Sequence, residues 1–147
     1  MITNENRWET WVKIKQRQPK TYPSGMMLGE PYLMPYEIDL RKDDKHGTLD
    51  EMALVVLLRP RQGGILAINL LDIPTNYRRR IVLERYMKAL QSESDPDRVK
   101  RLLELERFVR ASPLLQGAFK FYSRSRIQKA IHLLPEELEE LVDKRII

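Results

Sequence analysis

The first half of the chain carries hydrophobic and polar residues in the pattern of β-strands. In Tyr32–Leu40 apolar residues partly alternate with charged ones, which predicts a half-buried strand. Met52–Leu58 is a continuous apolar run, typical of a strand buried on both faces. The glycine pair at 63–64 predicts a hairpin turn into a partner strand over Ile65–Leu71. Asn69 is the one polar residue of that strand, so its amide is expected to bond to backbone groups.

From residue 75 onward the hydrophobic period is mostly that of α-helices. Thr75 or Asn76 is expected to cap the first of these helices, and Asp95 the second. Pro135 opens a final helix with glutamates in its first turns, where the helix dipole favours negative charge. Between these helices, Ser123–Ile131 predicts a short basic helix or turn.

An amphipathic helix is also predicted over residues 5–17. One of its faces carries, at i, i+3, i+4 and i+7 spacing, Trp8, Trp11, Val12 and Lys15. Two tryptophans on one helix face present a large apolar surface. This surface is expected either to dock on the protein's own core or to anchor on a neighbouring subunit.

A run of strands followed by a run of helices indicates an α+β protein rather than a wound parallel sheet. The expected architecture is a small, bent antiparallel sheet of four or five strands, of the barrel-like SH3 type, followed by three or four helices. A length of 147 residues fits one domain. We divide it into an N-terminal helix or arm (1–20), a β-rich part (24–74) and a helical part (75–147).

The composition indicates a soluble globular protein with a highly charged exterior, since charged residues make up 32% of the chain. Cysteine is absent, which excludes a disulfide framework and a thiolate metal site. The N-terminus lacks the apolar core of a signal peptide, and the longest apolar runs are too short to span a bilayer. We therefore expect no membrane association.

The net charge of +5 is unevenly distributed along the chain. Residues 75–131 contain fourteen basic and six acidic groups, whereas residues 21–74 contain five basic and eight acidic groups. A basic region of this kind suggests an acidic partner, either nucleic acid or an acidic protein face. A solvated helical surface is the alternative interpretation.

No cluster of residues predicts catalysis, a metal site or a cofactor. His46 and His132 lack a second ligand at metal-binding spacing, and no serine has the sequence context of a nucleophile. Acidic residues in and beside the charged loop Arg41–Gly47 resemble a two-metal nuclease cluster in number, but a solvated loop balanced by lysines fits them better. These acidic residues are Asp39, Asp43, Asp44, Asp50 and Glu51. We therefore expect no enzymatic activity and no small-molecule substrate.

Two basic clusters are better candidates for a binding surface. Arg78–Arg80 occupies three successive helix positions, so its side chains fan around the helix. Residues 117–129 interleave cations with aromatic rings and contain no acid. Such a mixture is typical of single-stranded nucleic-acid surfaces and equally of protein interfaces. For a protein partner the expected contacts are Trp8, Trp11, Phe121, Tyr122, Arg124 and Arg126. For nucleic acid they are Arg78, Arg79, Arg80, Lys120 and Lys129.

Roughly residues 52–142 resemble a family of small proteins encoded by tailed bacteriophages. The resemblance lies in the apolar strand with Asn-Leu and a proline exit in Gly64–Pro74, followed by Arg78 and a helix. It continues in the Arg/Tyr-rich stretch Phe121–Arg126 and the Leu-Pro-x-Glu segment Leu134–Glu137. This chain has Leu71-Asp72 where the family tends to have His-Tyr.

The resemblance implies a phage-encoded protein, either a virion component or a DNA-associated factor. The leading hypothesis is a non-enzymatic structural adaptor in the tail, baseplate or neck, made in the host cytoplasm and assembled with other virion proteins as an oligomer. The alternative is a nucleic-acid-binding accessory protein that acts on phage DNA. A nuclease on an SH3-like barrel is a third hypothesis.

Overall fold

Antiparallel strands from three regions of the chain form one open sheet in this computed structural model, which describes residues 7–39, 48–74 and 76–147. The strands of the described chain are β1 (Pro31–Asp39), β2 (Thr48–Arg61), β3 (Gly64–Asn69), β4 (Phe119–Ser123) and β5 (Ile131–His132). Their order across the sheet is β4-β3-β2-β1-β5. The helices are α1 (Arg7–Lys15), α2 (Asn76–Leu90), α3 (Asp95–Ala111) and α4 (Pro135–Asp143). The protein is therefore α+β, as predicted.

The central hairpin follows the predicted pattern. Residues 53–58 of β2 are buried, and the hairpin turn after β2 contains Gly63 with a φ of 82°. Asn69 is buried at the end of β3, where its Oδ1 accepts hydrogen bonds from the backbone N–H groups of Leu54 (3.2 Å) and Leu71 (3.1 Å). The prediction that backbone groups satisfy this amide is confirmed.

Two strands lie within the region predicted to be helical. Of the two possibilities predicted for Ser123–Ile131, a short helix or a turn, the structure has the turn: Arg124–Arg126 is a single 3₁₀ turn, and the chain then continues to β5. The preceding residues, Phe119–Ser123, form a strand that pairs with β3. Pairing with a strand about fifty residues earlier outweighs local propensity here. A smaller correction concerns α3, whose N-cap is Ser94 rather than Asp95, since Ser94 Oγ accepts from Asp97 N–H at 3.3 Å.

Each face of the sheet is covered in a different way. The main core lies between the sheet and the helices, and a smaller cluster around Tyr32, Ala67 and Tyr122 lies on the opposite face. Residues 124–130 pass over that second face from β4 to β5. Arg124 N–H donates to Gly63 O (2.8 Å), and Ile127 forms a bridge with Tyr36. Assignment to the SH3 type stays a prediction.

Some predictions fall outside the described residues, namely the charged loop Arg41–Gly47 with His46 and the capping role of Thr75. In the ranges that the structure describes, no helix is both long enough and apolar enough to cross a bilayer.

Candidate functional site

The exposed ring of Phe121 marks the most distinctive surface of the described chain. It lies on the edge strand β4 and is 43% exposed, whereas its neighbour Tyr122 points to the opposite face and is buried. Strand alternation places Phe119 on the same face as Phe121. The Phe121 ring lies against Gly64 of β3, because a Cβ atom added there would come within 2.8 Å of the ring. The glycine thus lets the ring rest on the sheet.

Arginines accompany both phenylalanine rings of β4. The Cζ atom of Arg61 is 5.6 Å from the ring centroid of Phe121, and the Cζ atom of Arg110 is 5.0 Å from that of Phe119. Both distances lie within the range of cation–π attraction. Arg61 comes from the end of β2 and Arg110 from the end of α3, so three elements converge on this surface.

A buried carboxylate holds two arginines at the same place. Glu106 of α3 accepts a two-pronged contact from Arg59, with Nε–Oε1 at 2.9 Å and Nη2–Oε2 at 3.4 Å. Arg110 Nη1 also lies 3.4 Å from Glu106 Oε2. The hydrogen bond to Glu106 raises the pKa of Arg59. Arg59 is aligned with Leu66 of β3, which is aligned with Phe121 of β4.

We name these residues the arginine–aromatic surface: Arg59, Arg61, Arg110, Phe119 and Phe121. Its charge is positive, since it contains three arginines, and Glu106 is the one carboxylate described in contact with them, bonded to Arg59 and Arg110. The backbone of Arg124 joins the neighbouring hairpin turn at Gly63. Of the predicted partner contacts, Phe121 belongs to this surface, and the backbone of Arg124 lies next to it. Tyr122 instead packs edge-on against Tyr36, with ring centroids 4.9 Å apart, and burial raises its pKa.

The predicted tryptophan contacts lie on another part of the molecule. Trp8 and Trp11 stack with centroids 5.7 Å apart. Trp11 is buried in the main core, and Trp8 packs against that core. Lys15 forms an ion pair with Glu137, which ties α1 to α4. The helix therefore docks on its own chain, the first of the two expected arrangements.

Several cations of the predicted nucleic-acid set contact acceptors within the chain. The Nε atom of Arg79 donates to the backbone carbonyls of Leu70 (3.1 Å) and Ile73 (2.9 Å), and burial lowers the pKa of this arginine. Arg80 forms an ion pair with Asp143.

The remaining predicted contacts are Lys120, Lys129, Arg78 and Arg126. Lys120 pairs with Asp72 at 2.6 Å, and Lys129 Nζ lies 4.3 Å from the ring centroid of Tyr22. Arg78 and Arg126 are half-buried. Arg79 and Lys120 thus both contact the turn at residues 70–73, whereas Arg80 pairs with Asp143 at the end of α4 and Lys129 lies beside Tyr22. These four cations therefore contact different parts of the chain rather than one common stripe.

Sequence reasoning missed the three arginines of the surface, Arg59, Arg61 and Arg110, and it placed Phe119 in the cluster 117–129 without predicting it as a contact. The available signal for two of these arginines was the Arg-Pro-Arg sequence that follows the apolar run Met52–Leu58, which the prediction of the hairpin turn did not use. It also missed the position of Glu30, whose carboxylate lies 3.3 Å from Arg98 and 3.2 Å from His132. Within the described ranges, no group of three or more acidic, histidine or cysteine side chains could hold a metal ion.

Comparisons of the chain with protein-family models, with curated proteins and with solved structures find no match. We therefore infer the function from the surface, its charge and the sequence resemblance.

Proposed function

We propose that this protein is a non-enzymatic adaptor of a tailed-bacteriophage virion, in the tail, baseplate or neck, and that it binds other virion proteins through the arginine–aromatic surface. The observation that carries the proposal is the exposed Phe121 ring on an edge strand, with an arginine over it and a second arginine–phenylalanine pair beside it. The placement in a virion is supported by the resemblance in Gly64–Pro74, Phe121–Arg126 and Leu134–Glu137.

The surface has the physical properties of a protein interface. Aromatic residues and arginine are enriched in interfaces and dominate their binding energy. A ring that rests on β3 loses little rotational freedom when a partner covers it. Glu106 restrains Arg59 and Arg110 in the same way, because it holds their guanidinium groups before any partner arrives.

The charge of the surface indicates an acidic partner face. Charge complementarity of this kind speeds association and selects among partners. An assembled particle would supply such a face repeatedly, which agrees with the expectation of an oligomeric assembly.

The proposal is tested by growing phage that carries single variants and quantifying the protein in purified particles by mass spectrometry. Phe121→Ala and Arg61→Ala should each reduce incorporation at least tenfold. Tyr77→Ala is the matched control, because Tyr77 is 74% exposed on α2 and lies outside the surface. Absence of the wild-type protein from particles would refute the adaptor role. Equal incorporation of the Phe121 and Tyr77 variants would refute the assignment of the surface.

A nucleic-acid-binding accessory protein is the second candidate. The pairing of arginines with exposed aromatic rings favours it, since single-stranded nucleic acid stacks its bases on rings and pairs its phosphates with cations. The engagement of Arg79, Arg80 and Lys120 with acceptors of the same chain speaks for the protein partner instead.

The salt dependence of binding to a single-stranded oligonucleotide separates the two functions. For nucleic-acid binding, the affinity measured by fluorescence anisotropy should fall steeply as the salt concentration rises from about 50 to about 200 mM. Replacing Arg124 and Arg126 together by alanine should lower the slope by about one for each lost phosphate contact. An affinity that does not change with salt would exclude this function.

A further inference from the structure

A cavity of about 350 Å³ opens between α1 and the chain that follows α4. Its lining within the described residues is Arg7, Thr10, Trp11, Ile14, Lys144 and Ile146. Ligand pockets span about 300–1,000 Å³, so this one is suited to a single large side chain.

The cavity uses a second face of α1. Trp8 and Val12 pack against the main core, whereas positions 7, 10, 11 and 14 have the i, i+3, i+4, i+7 spacing of a neighbouring face. Trp11 belongs to both faces, so its ring is held by the core on one side and lines the cavity on the other. Ile14 remains 54% exposed at this opening.

Contacts between α1 and α4 keep the cavity in shape. Arg7 Nη1 donates a 2.8 Å hydrogen bond to the carbonyl oxygen of Lys144. Lys15 lies 5.3 Å from the ring centroid of Trp11 and pairs with Glu137 of α4. The cavity is therefore bounded by bonds that join the two helices.

We propose that this cavity is a docking pocket for a protein segment in which an aromatic side chain is flanked by acidic residues. The apolar contacts come from Trp11, Ile14 and Ile146, which suit an aromatic ring. The charged residues among its described lining are both cations, Arg7 and Lys144, and Lys144 Nζ also lies 3.4 Å from Glu140 Oε1. Two cations at the opening suit flanking carboxylates. The pocket would be a second contact in addition to the arginine–aromatic surface. Only the identification of the bound segment as part of a virion protein rests on the proposed function.

Three blocked peptides added to the full chain test the chemistry of the occupant. They are acetyl-Glu-Phe-Glu-amide, acetyl-Glu-Ala-Glu-amide and acetyl-Lys-Phe-Lys-amide, and the readout is the NMR shift of the Trp11 indole N–H. The first peptide should shift this signal with an affinity at least tenfold higher than that of either other peptide. Equal responses to all three peptides would overturn the proposal.

Variants of the lining test the place of binding. Thr10→Phe fills the cavity and should weaken binding of the first peptide at least tenfold, whereas Lys13→Phe, on an exposed position of the same helix outside the lining, should not. A second variant, Ile14→Glu, covers the case in which Thr10→Phe disturbs folding, because Ile14 is half-exposed. Its new carboxylate should repel the glutamates of the first peptide and weaken binding. Unchanged binding by the Ile14 variant would refute the pocket. Peptide binding by a wild-type protein that is absent from purified particles would refute only the virion role.

Discussion

The Nε atom of Arg59 on β2 lies 2.9 Å from the Oε1 atom of Glu106 on α3. The carboxylate is buried, whereas the guanidinium reaches the surface. A carboxylate fixed in this way orients an arginine that would otherwise sample many rotamers in water. The contact therefore couples the stability of the fold to the geometry of the arginine–aromatic surface.

Replacement of Glu106 by glutamine should destabilise the protein by about 1–2 kcal/mol, because hydrogen bonds to a charged group contribute about 1.5–3 kcal/mol and Arg59 is partly exposed to water. Urea denaturation measures the change. Glu104→Gln is the matched control, since Glu104 is exposed on the same helix. In an Arg59→Met background the cost of Glu106→Gln should shrink. An unchanged cost in that background would show that the two residues are not coupled.

Sequence patterns predicted the central hairpin and the helices well, because burial gives strands and helices distinct periods. Met52–Leu58 is apolar throughout, and its strand is covered on both faces. Asn69 interrupts the apolar run of β3, and the need to satisfy a buried amide predicted its backbone partners.

The composition of the surface could not be predicted in the same way. Arg59 aligns with Leu66 only because the pairing of β2 and β3 shifts between Leu57 and Arg59. A register shift changes which side chains share a face, and the local sequence does not record it. The strand β4 depends likewise on a partner distant in sequence.

Asn69 offers a second test of the fold. Asn69→Leu removes the acceptor of two backbone N–H groups, those of Leu54 and Leu71. A buried donor without a partner costs about 1–3 kcal/mol. Because the Leu54 donor is buried and the Leu71 donor is partly buried, the loss of stability should be about 2–4 kcal/mol. Asn69→Asp keeps an oxygen at the same place and should cost less than leucine in thermal or urea unfolding. A leucine variant as stable as the wild type would contradict the role of the amide.

Tyr86 predicts how stability responds to alkaline pH. Its hydroxyl donates a 2.6 Å hydrogen bond to the buried carbonyl of Gly29, and burial raises its pKa in the folded protein. In the unfolded chain the hydroxyl loses its proton near pH 10. The unfolded state therefore binds fewer protons above about pH 10, and stability falls as pH rises, by about 1.4 kcal/mol per pH unit for this tyrosine.

Urea titrations at several pH values between 8 and 11 measure this dependence. Tyr86→Phe should reduce the alkaline slope by about one proton relative to the wild type. Tyr32 and Tyr122, whose pKa values are also raised by burial, retain their own contributions in that variant. Tyr77→Phe is the control, because it removes the same hydroxyl group from an exposed side chain. A Tyr86 variant with the wild-type slope would contradict the assignment.

Gly64 connects the hairpin to the edge strand and gives the sharpest steric test. Gly64→Ala places a Cβ atom in overlap with the carbonyl oxygen of Tyr122 and 2.8 Å from the Phe121 ring. Because the carbonyl belongs to the paired backbone of β4, relief requires that strand to move. We expect a loss of stability of about 2 kcal/mol or more, in the range typical of overpacked sites. Weaker docking by the displaced Phe121 ring should accompany it. Gly117→Ala is the control, since nothing lies within 4 Å of its added Cβ. If the two variants unfolded at the same urea midpoint, the close approach of β3 and β4 would be contradicted.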